Sequence, residues 1–241
     1  MQQLLPSLID PPIVFAHRGA RAYAPENTLE AFALAVRLGA SGLESDVWVT
    51  RDGVAVLDHD GVVGRRGRKL PISEVDRASL PASIPSLEEL LLRQTGDFEL
   101  SLDVKDPAAF APTVAAIRSV RPEIESRVWL CHPDVDVVIG WRGATAARLV
   151  DSTRLVRIKE GVERRAARLK DHGVDALNMH HSDWTGGLVT MVHRFERLAL
   201  GWDLQFDHQL VTGLRMGLDG VFSDYPDRLV DALNSYRTAR R

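Results

Sequence analysis

Eight short apolar runs, separated by segments of helical periodicity, constrain this chain more than any other feature. The runs are Ile13 to Ala16, Gly42 to Trp48, Phe98 to Val104, Arg127 to Cys131, Ala147 to Asp151, Ala176 to Met179, Leu198 to Trp202 and Gly220 to Phe222. Short apolar runs bounded by turns read as buried strands. Each is followed by a helical pattern or something close to one. The first such pattern is the clearest: Leu29, Phe32, Ala33 and Val36 recur at helical spacing, Asn27 with Glu30 reads as a capping box, and Gly39 supplies the stop. Ser86 and Glu89 open a second helix in the same way.

The joints that lead back into strands echo one another. Leu38 to Asp46, His172 to His180 and Met216 to Asp224 each carry a stop glycine, a short turn, an apolar pair and a polar residue at the strand end. Re-entering every strand from the same side is what a (β/α)8 TIM barrel requires, and that is the fold expected. A doubly wound open sheet gives a similar rhythm and is the alternative. Against it, the first strand is followed by His17-Arg18-Gly19 and not by a glycine-rich nucleotide loop.

At 241 residues, with nothing that reads as a linker, one domain over 1–241 is expected. A net charge of -3 from evenly mixed acids and bases argues against a nucleic-acid partner. The single cysteine, Cys131, sits among Val128, Trp129 and Leu130 and reads as buried strand, not as a redox centre. No apolar stretch approaches the roughly 20 residues that span a bilayer, and the N-terminus lacks a secretory pattern. A cytoplasmic protein without stable membrane insertion is the expectation.

Between about 60 and 85 the rhythm breaks. Glycines at 61, 64 and 67, prolines at 71, 81 and 85 and the basic run Arg65, Arg66, Arg68, Lys69 read as a short insertion beyond the barrel mouth, after the second strand region. The basic run is either a solvated loop or a lip that attracts an anionic substrate.

Chemistry concentrates at the strand ends. Glu44 and Asp46 lie two apart in a strand, so both leave the same face at the mouth, and Asp103 with Lys105 repeats the arrangement on the next strand. Carboxylates converging on one rim repel one another unless a cation sits between them, and an all-oxygen set suits Mg2+ or Ca2+. Ordinary ion pairs are the alternative for each residue taken singly. His17 ends the first strand and His59 follows Val54 to Leu57. Two imidazoles flanking such a cluster can divide acid and base roles near neutral pH. Hard ligands, a cation for phosphate and two imidazoles together suit phosphodiester hydrolysis.

His17-Arg18-Gly19, Glu26-Asn27-Thr28, Glu44-x-Asp46 and His59-Asp60, in this order and spacing, resemble the signature of glycerophosphodiester phosphodiesterases. Ile84 to Glu89, Leu102 to Lys105 and Asp219 to Pro226 resemble that family's later landmarks. The resemblance implies a TIM barrel that hydrolyses a small-molecule glycerophosphodiester to glycerol 3-phosphate and an alcohol, using one divalent cation. It implies His17 and His59 as the catalytic pair, Arg18 and Lys105 on the phosphate, and Glu44, Asp46 and Asp103 as metal ligands. Glu26 would organise the metal or the arginine, and Trp202 would lie against the glycerol carbons. The nucleophile implied is water or the substrate's own glycerol hydroxyl.

Two departures stand out. Asp103 occupies a place where the family most often has glutamate, and Asp203-Leu204-Gln205 follows Trp202 where threonine, valine and asparagine are common. His132, His180 and His181 also fall at strand ends, and without a family counterpart they read as surface or supporting residues. Three rivals compete with this reading. A lysophospholipase D-like or phospholipase C-like enzyme would want an apolar groove, to which only Val62 and Val63 contribute near the lip. A barrel that merely binds an anionic metabolite would tolerate a damaged histidine pair. A glycosidase would explain neither His17-Arg18 nor Lys105.

Overall fold

The structure is a computed structural model that describes residues 4–65 and 68–239. Its strands are β1 (Ile13–Ala16), β2 (Gly42–Val49), β3 (Ala55–Leu57), β4 (Val62–Arg65), β5 (Arg68–Pro71), β6 (Glu99–Val104), β7 (Val128–His132), β8 (Arg148–Thr153), β9 (Ala176–His180), β10 (Leu198–Trp202) and β11 (Gly220–Ser223). Its α-helices are α1 (Leu29–Arg37), α2 (Leu87–Arg93), α3 (Phe110–Val120), α4 (Val135–Trp141), α5 (Val162–Asp171), α6 (Gly186–Arg194), α7 (Asp207–Arg215) and α8 (Pro226–Ala239).

The strand order is β1-β11-β10-β9-β8-β7-β6-β2, and β1 also pairs with β2. That second pairing, Phe15 opposite Gly42 and Ala16 opposite Leu43, closes eight parallel strands into a barrel and excludes the open sheet. Each apolar run of the sequence is one barrel strand. Closure leaves no unpaired edge, so every barrel strand finds a hydrogen-bonding neighbour on both sides.

Apolar packing falls into two shells. Between strands and helices lies the larger one, in which α1 buries Ala31, Phe32 and Ala35. The buried stripe of α1 is rotated from the expected one: Ala31 and Ala35 face the barrel with Phe32, and Val36 is exposed. Inside the barrel, Phe15, Trp129, Cys131, Val150, Leu200 and Phe222 form the second shell. Phe15 stacks on Phe222 with centroids 4.5 Å apart and meets Trp129 edge-on at 5.9 Å. Such pairs contribute about 0.5–1.5 kcal/mol each beyond area burial. The plug explains Gly42: a Cβ there would stand 2.5 Å from the Phe15 ring. Burial of Cys131 pushes its thiol well above the usual value, which leaves it inert.

Ser86 caps α2 as expected, with Glu89 N–H donating to Ser86 Oγ at 3.1 Å and Ser86 N–H donating to Glu89 at 2.6 Å. The cap of α1 differs from expectation. Thr28, not Asn27, accepts from the Ala31 amide at 3.2 Å. Asn27 holds a left-handed backbone (φ 56) and turns its amide toward the barrel mouth, so it cannot reach the helix.

The insertion is a β4–β5 hairpin followed by single helical turns at Ile72–Glu74 and Arg77–Ser79. A small apolar cluster of Val56, Ile72, Leu80 and Ile84 holds it to β3, and Val63 packs against that cluster. Val63 is thereby committed to the hairpin's own packing. Of the basic run, Arg66 and the side chains of Arg65 and Arg68 lie outside the described residues, and Lys69 is exposed. No helix among the described residues is long and apolar enough to cross a membrane.

Candidate active site

At the C-terminal end of the barrel strands opens a cavity of about 680 Å³. His17, Arg18, Glu44, Asp46, His59, Asp103, Lys105 and Trp202 all line it. The barrel register brings the acids together: Asp46 on β2 stands opposite Asp103 on β6, and Glu44 lies two residues below on the same face. Ligand atoms of Glu44, Asp46 and Asp103 lie within 4.8 Å of one another.

The N-terminal side of the site is built on the β1 turn. His17 donates its backbone amide to Ser223 O, while Arg18 (φ 51) and Gly19 (φ 78) turn the chain sharply back. Gly19 is required there, since a Cβ would meet the Ala31 carbonyl carbon at 2.7 Å. The turn points the Arg18 amide at Glu44, which accepts it at 2.8 Å. The Arg18 guanidinium runs along Asp46, with Nε 3.3 Å from Oδ2, and donates to both Glu26 oxygens at 3.1 and 3.0 Å. Glu26 therefore orients the arginine. It does not line the cavity.

His17 is gripped from behind. Its Nδ1–H donates to Asp224 Oδ1 at 2.6 Å, which leaves Nε2 facing Glu44 at 3.8 Å. Burial works to lower the His17 pKa, but the Glu44 carboxylate and the Asp224 hydrogen bond outweigh it, and the net shift is upward. Glu44 is itself pushed up to about 8 by burial, with Asp46 and Asp103 adding repulsion that His17 only partly offsets.

Lys105 follows β6 and places Nζ 2.7 Å from Asp46 Oδ1 and 3.4 Å from Asp103 Oδ2. Burial lowers its pKa, yet the Asp103 and Asp46 carboxylates dominate and raise it, so it is a fixed positive charge. Asp103 is raised by its own burial, against the pull of Lys105. His59 comes after β3 on the opposite side, more exposed, with Nδ1 2.9 Å from Asp60 Oδ1. Trp202 ends β10, with the His180 ring edge-on at 4.6 Å and the Arg154 guanidinium 5.7 Å from its ring centroid.

The donor set fits a hard divalent cation. Three carboxylates, two of them nearly inaccessible to water, crowd one point, and burial first, then repulsion from Asp46 and Asp103, disfavours the charged form of Glu44, a penalty that a cation would relieve. Lys105 and Arg18 both pair with Asp46.

Two residues have roles here that the sequence did not predict. Asp224 stood within a landmark, but only the β1–β11 pairing puts it behind His17. Asn27 donates its amide to Asp46 Oδ2 at 3.2 Å and accepts from Ser45 Oγ at 2.7 Å, so it holds a cavity carboxylate and not a helix end. Asn27 stood in the signature Glu26-Asn27-Thr28, but its position before a helix gave the capping role a sufficient local explanation. His132 lines the cavity wall, and its Nδ1 accepts from the Asp134 amide at 3.1 Å. His180 and His181 cluster with Asp203 at the rim.

The comparisons agree with this geometry. The model of the glycerophosphoryl diester phosphodiesterase family matches residues 17–228. A glycerophosphodiester phosphodiesterase of Bacillus altitudinis is 27% identical over 239 residues, covering 90% of this chain and 96% of the relative. The crystal structure of glycerophosphodiester phosphodiesterase from Thermotoga maritima superposes with a TM-score of 0.78 at 22% identity, over 91% of this chain and 97% of that one. A phosphodiesterase of Oleispira antarctica, solved in complex with the product sn-glycerol-3-phosphate, superposes with a TM-score of 0.81 at 22% identity, over 92% and 97% of the two chains.

Proposed function

The chain belongs to the glycerophosphoryl diester phosphodiesterase family, and from that premise we propose that it hydrolyses a glycerophosphodiester to glycerol 3-phosphate and an alcohol. The observation that carries the reading is one cavity holding His17 backed by Asp224, three converging carboxylates, two cations and His59.

Arg18 and Lys105 bind the phosphodiester oxygens. Both are oriented by Asp46, which aims their positive charge into the cavity. Glu44, Asp46 and Asp103 hold a divalent ion, Mg2+ or Ca2+, which when bound supplies Lewis-acid neutralisation of phosphate charge. The imidazoles of His17 and His59 divide the proton work. One accepts the proton of the attacking hydroxyl as its oxygen bonds to phosphorus, and the other protonates the alkoxide as the bond from phosphorus to the leaving oxygen breaks. The attacking hydroxyl belongs to water or to the substrate's glycerol. In the second case a cyclic phosphate forms first and water opens it, so the net products are the same. Trp202 offers an apolar face to the glycerol carbons.

The test is a panel of glycerophosphodiesters and lysophospholipids, incubated with and without chelator, with glycerol 3-phosphate followed by phosphorus NMR. Metal-dependent release of glycerol 3-phosphate from glycerophosphodiesters is expected, with activity abolished by chelator and restored by Mg2+ or Ca2+. Full turnover in excess chelator with no metal retained would overturn the metal assignment. Turnover of lysophospholipids alone would overturn the substrate class.

A further inference from the structure

We propose that His180, His181 and Asp203 form a second metal site, separate from the carboxylate set, that takes a borderline divalent ion of the Zn2+ class. The three residues sit where two neighbouring strands end. β9 closes on His180, which pairs in register with Trp202 at the end of β10, and His181 and Asp203 are the next residue of each strand. Their ligand atoms lie within 4.8 Å of one another. His180 Nε2 is 3.0 Å from Asp203 Oδ2. Two ligands at about 2.0–2.1 Å from a tetrahedral ion stand roughly 3.4 Å apart, so this pair needs little adjustment.

The remaining contacts hold the three side chains in place, and those at His180 and His181 rearrange for an ion to enter. Gln209 fixes its amide by accepting from the Gln205 and Phe206 amides at 2.9 and 3.1 Å, which turns its nitrogen toward His181 Nε2 at 3.2 Å. That ring nitrogen is therefore the unprotonated one, and its lone pair is released to an ion if Gln209 yields. His180 Nδ1 accepts from the Ser182 amide at 3.2 Å and lies 2.7 Å from Ser182 Oγ, so coordination through Nε2 moves the ring proton to Nδ1, which gives up the amide and donates to the hydroxyl. The change is one of tautomer, not of charge. Gln205 donates to Asp203 Oδ1 at 3.1 Å and leaves Oδ2 to face the histidines. Partners of this kind, behind each ligand, set ring orientation and affinity.

The chemistry separates the two sites. Two imidazoles and one carboxylate favour Zn2+, Co2+ or Ni2+, whereas three carboxylates favour Mg2+ or Ca2+. Three protein ligands leave a coordination position open. Asp203 lines the wall of the active-site cavity, so the ion would stand at its rim. The inference does not depend on which reaction the cavity performs.

The test uses the full chain stripped of metal and then saturated with Mg2+, into which Co2+ is titrated and followed by its visible absorption. One equivalent bound with a tetrahedral spectrum, and displaced by Zn2+, is expected. His181→Ala and Asp203→Asn should each weaken that binding about tenfold or more, while Asp103→Asn should leave it unchanged. If His181→Ala does not fold by circular dichroism, His181→Gln takes its place. No saturable Co2+ binding over Mg2+, or a loss caused by Asp103→Asn and not by the His181 variants, would overturn the site.

Discussion

Nδ1 of His17 lies 2.6 Å from Oδ1 of Asp224, a contact made across the seam where β1 pairs with β11. The carboxylate fixes which ring nitrogen faces the cavity and favours the charged imidazole. Asp224→Asn removes the negative charge and keeps the shape. Turnover should fall on the order of 10²-fold or more, by analogy with other histidines oriented by a carboxylate. The sign of the pH effect is set by the direction of the shift. Without Asp224 the imidazolium is less favoured, so the His17 proton leaves at lower pH, and the limb of the rate profile that His17 governs moves toward acid. An unchanged profile would mean that Asp224 serves only to bind Arg21.

Acid and base catalysis contributes about 10² to 10⁴-fold per group, so His17→Ala and His59→Ala should each slow hydrolysis by that order without unfolding the barrel. The double variant should be little worse than the worse single one, because groups serving one step are not additive. A substrate with an activated leaving group, which needs no proton, should rescue the variant that lacks the acid and leave the other impaired. Near wild-type turnover in both single variants would make the imidazoles structural.

Asp103 lies beside Lys105 and opposite Asp46, and either neighbour could explain its presence. As a metal ligand shortened by one methylene, it should bind metal as well or better after Asp103→Glu, and much less well after Asp103→Ala. Isothermal titration with Mg2+ and Ca2+ separates the cases. Equal affinity in all three proteins would reduce Asp103 to the partner of Lys105.

Asn27 makes two buried hydrogen bonds from a left-handed backbone. Asn27→Ala loses both and places an ordinary side chain at positive φ, for a cost of about 2–4 kcal/mol in denaturant unfolding. Asn27→Gly should recover the backbone part alone. Both variants free Asp46 to move, so both should also weaken Mg2+ binding. Wild-type stability in Asn27→Ala would show that the amide contacts contribute nothing.

The eight barrel strands were legible in the chain because burial on both faces demands continuous apolar runs, and because the joints before β2, β9 and β11 carry glycine stops at positions 39, 173 and 217. The carboxylates at 44 and 46 were legible for a related reason: side chains two apart on a strand share a face whatever surrounds them. Local rules of this kind also anticipated the Ser86 cap. They failed at Asn27, where the helix-capping preference of asparagine competes with a buried partner 19 residues away. They were silent on Asp224, 207 residues from His17, and on which of the two aspartates in Asp219 to Pro226 reaches the site. Asp219 and Asp224 flank β11 at opposite ends, and Asp219 spends its oxygens on the Leu8 and Ala199 amides at the far face of the barrel. The sequence alone determined the eight barrel strands, the face of each acid and the chemical class of the site. Tertiary structure decided which charges meet, because closure of β1 onto β11 and β2 fixes those distances and no spacing along the chain encodes them.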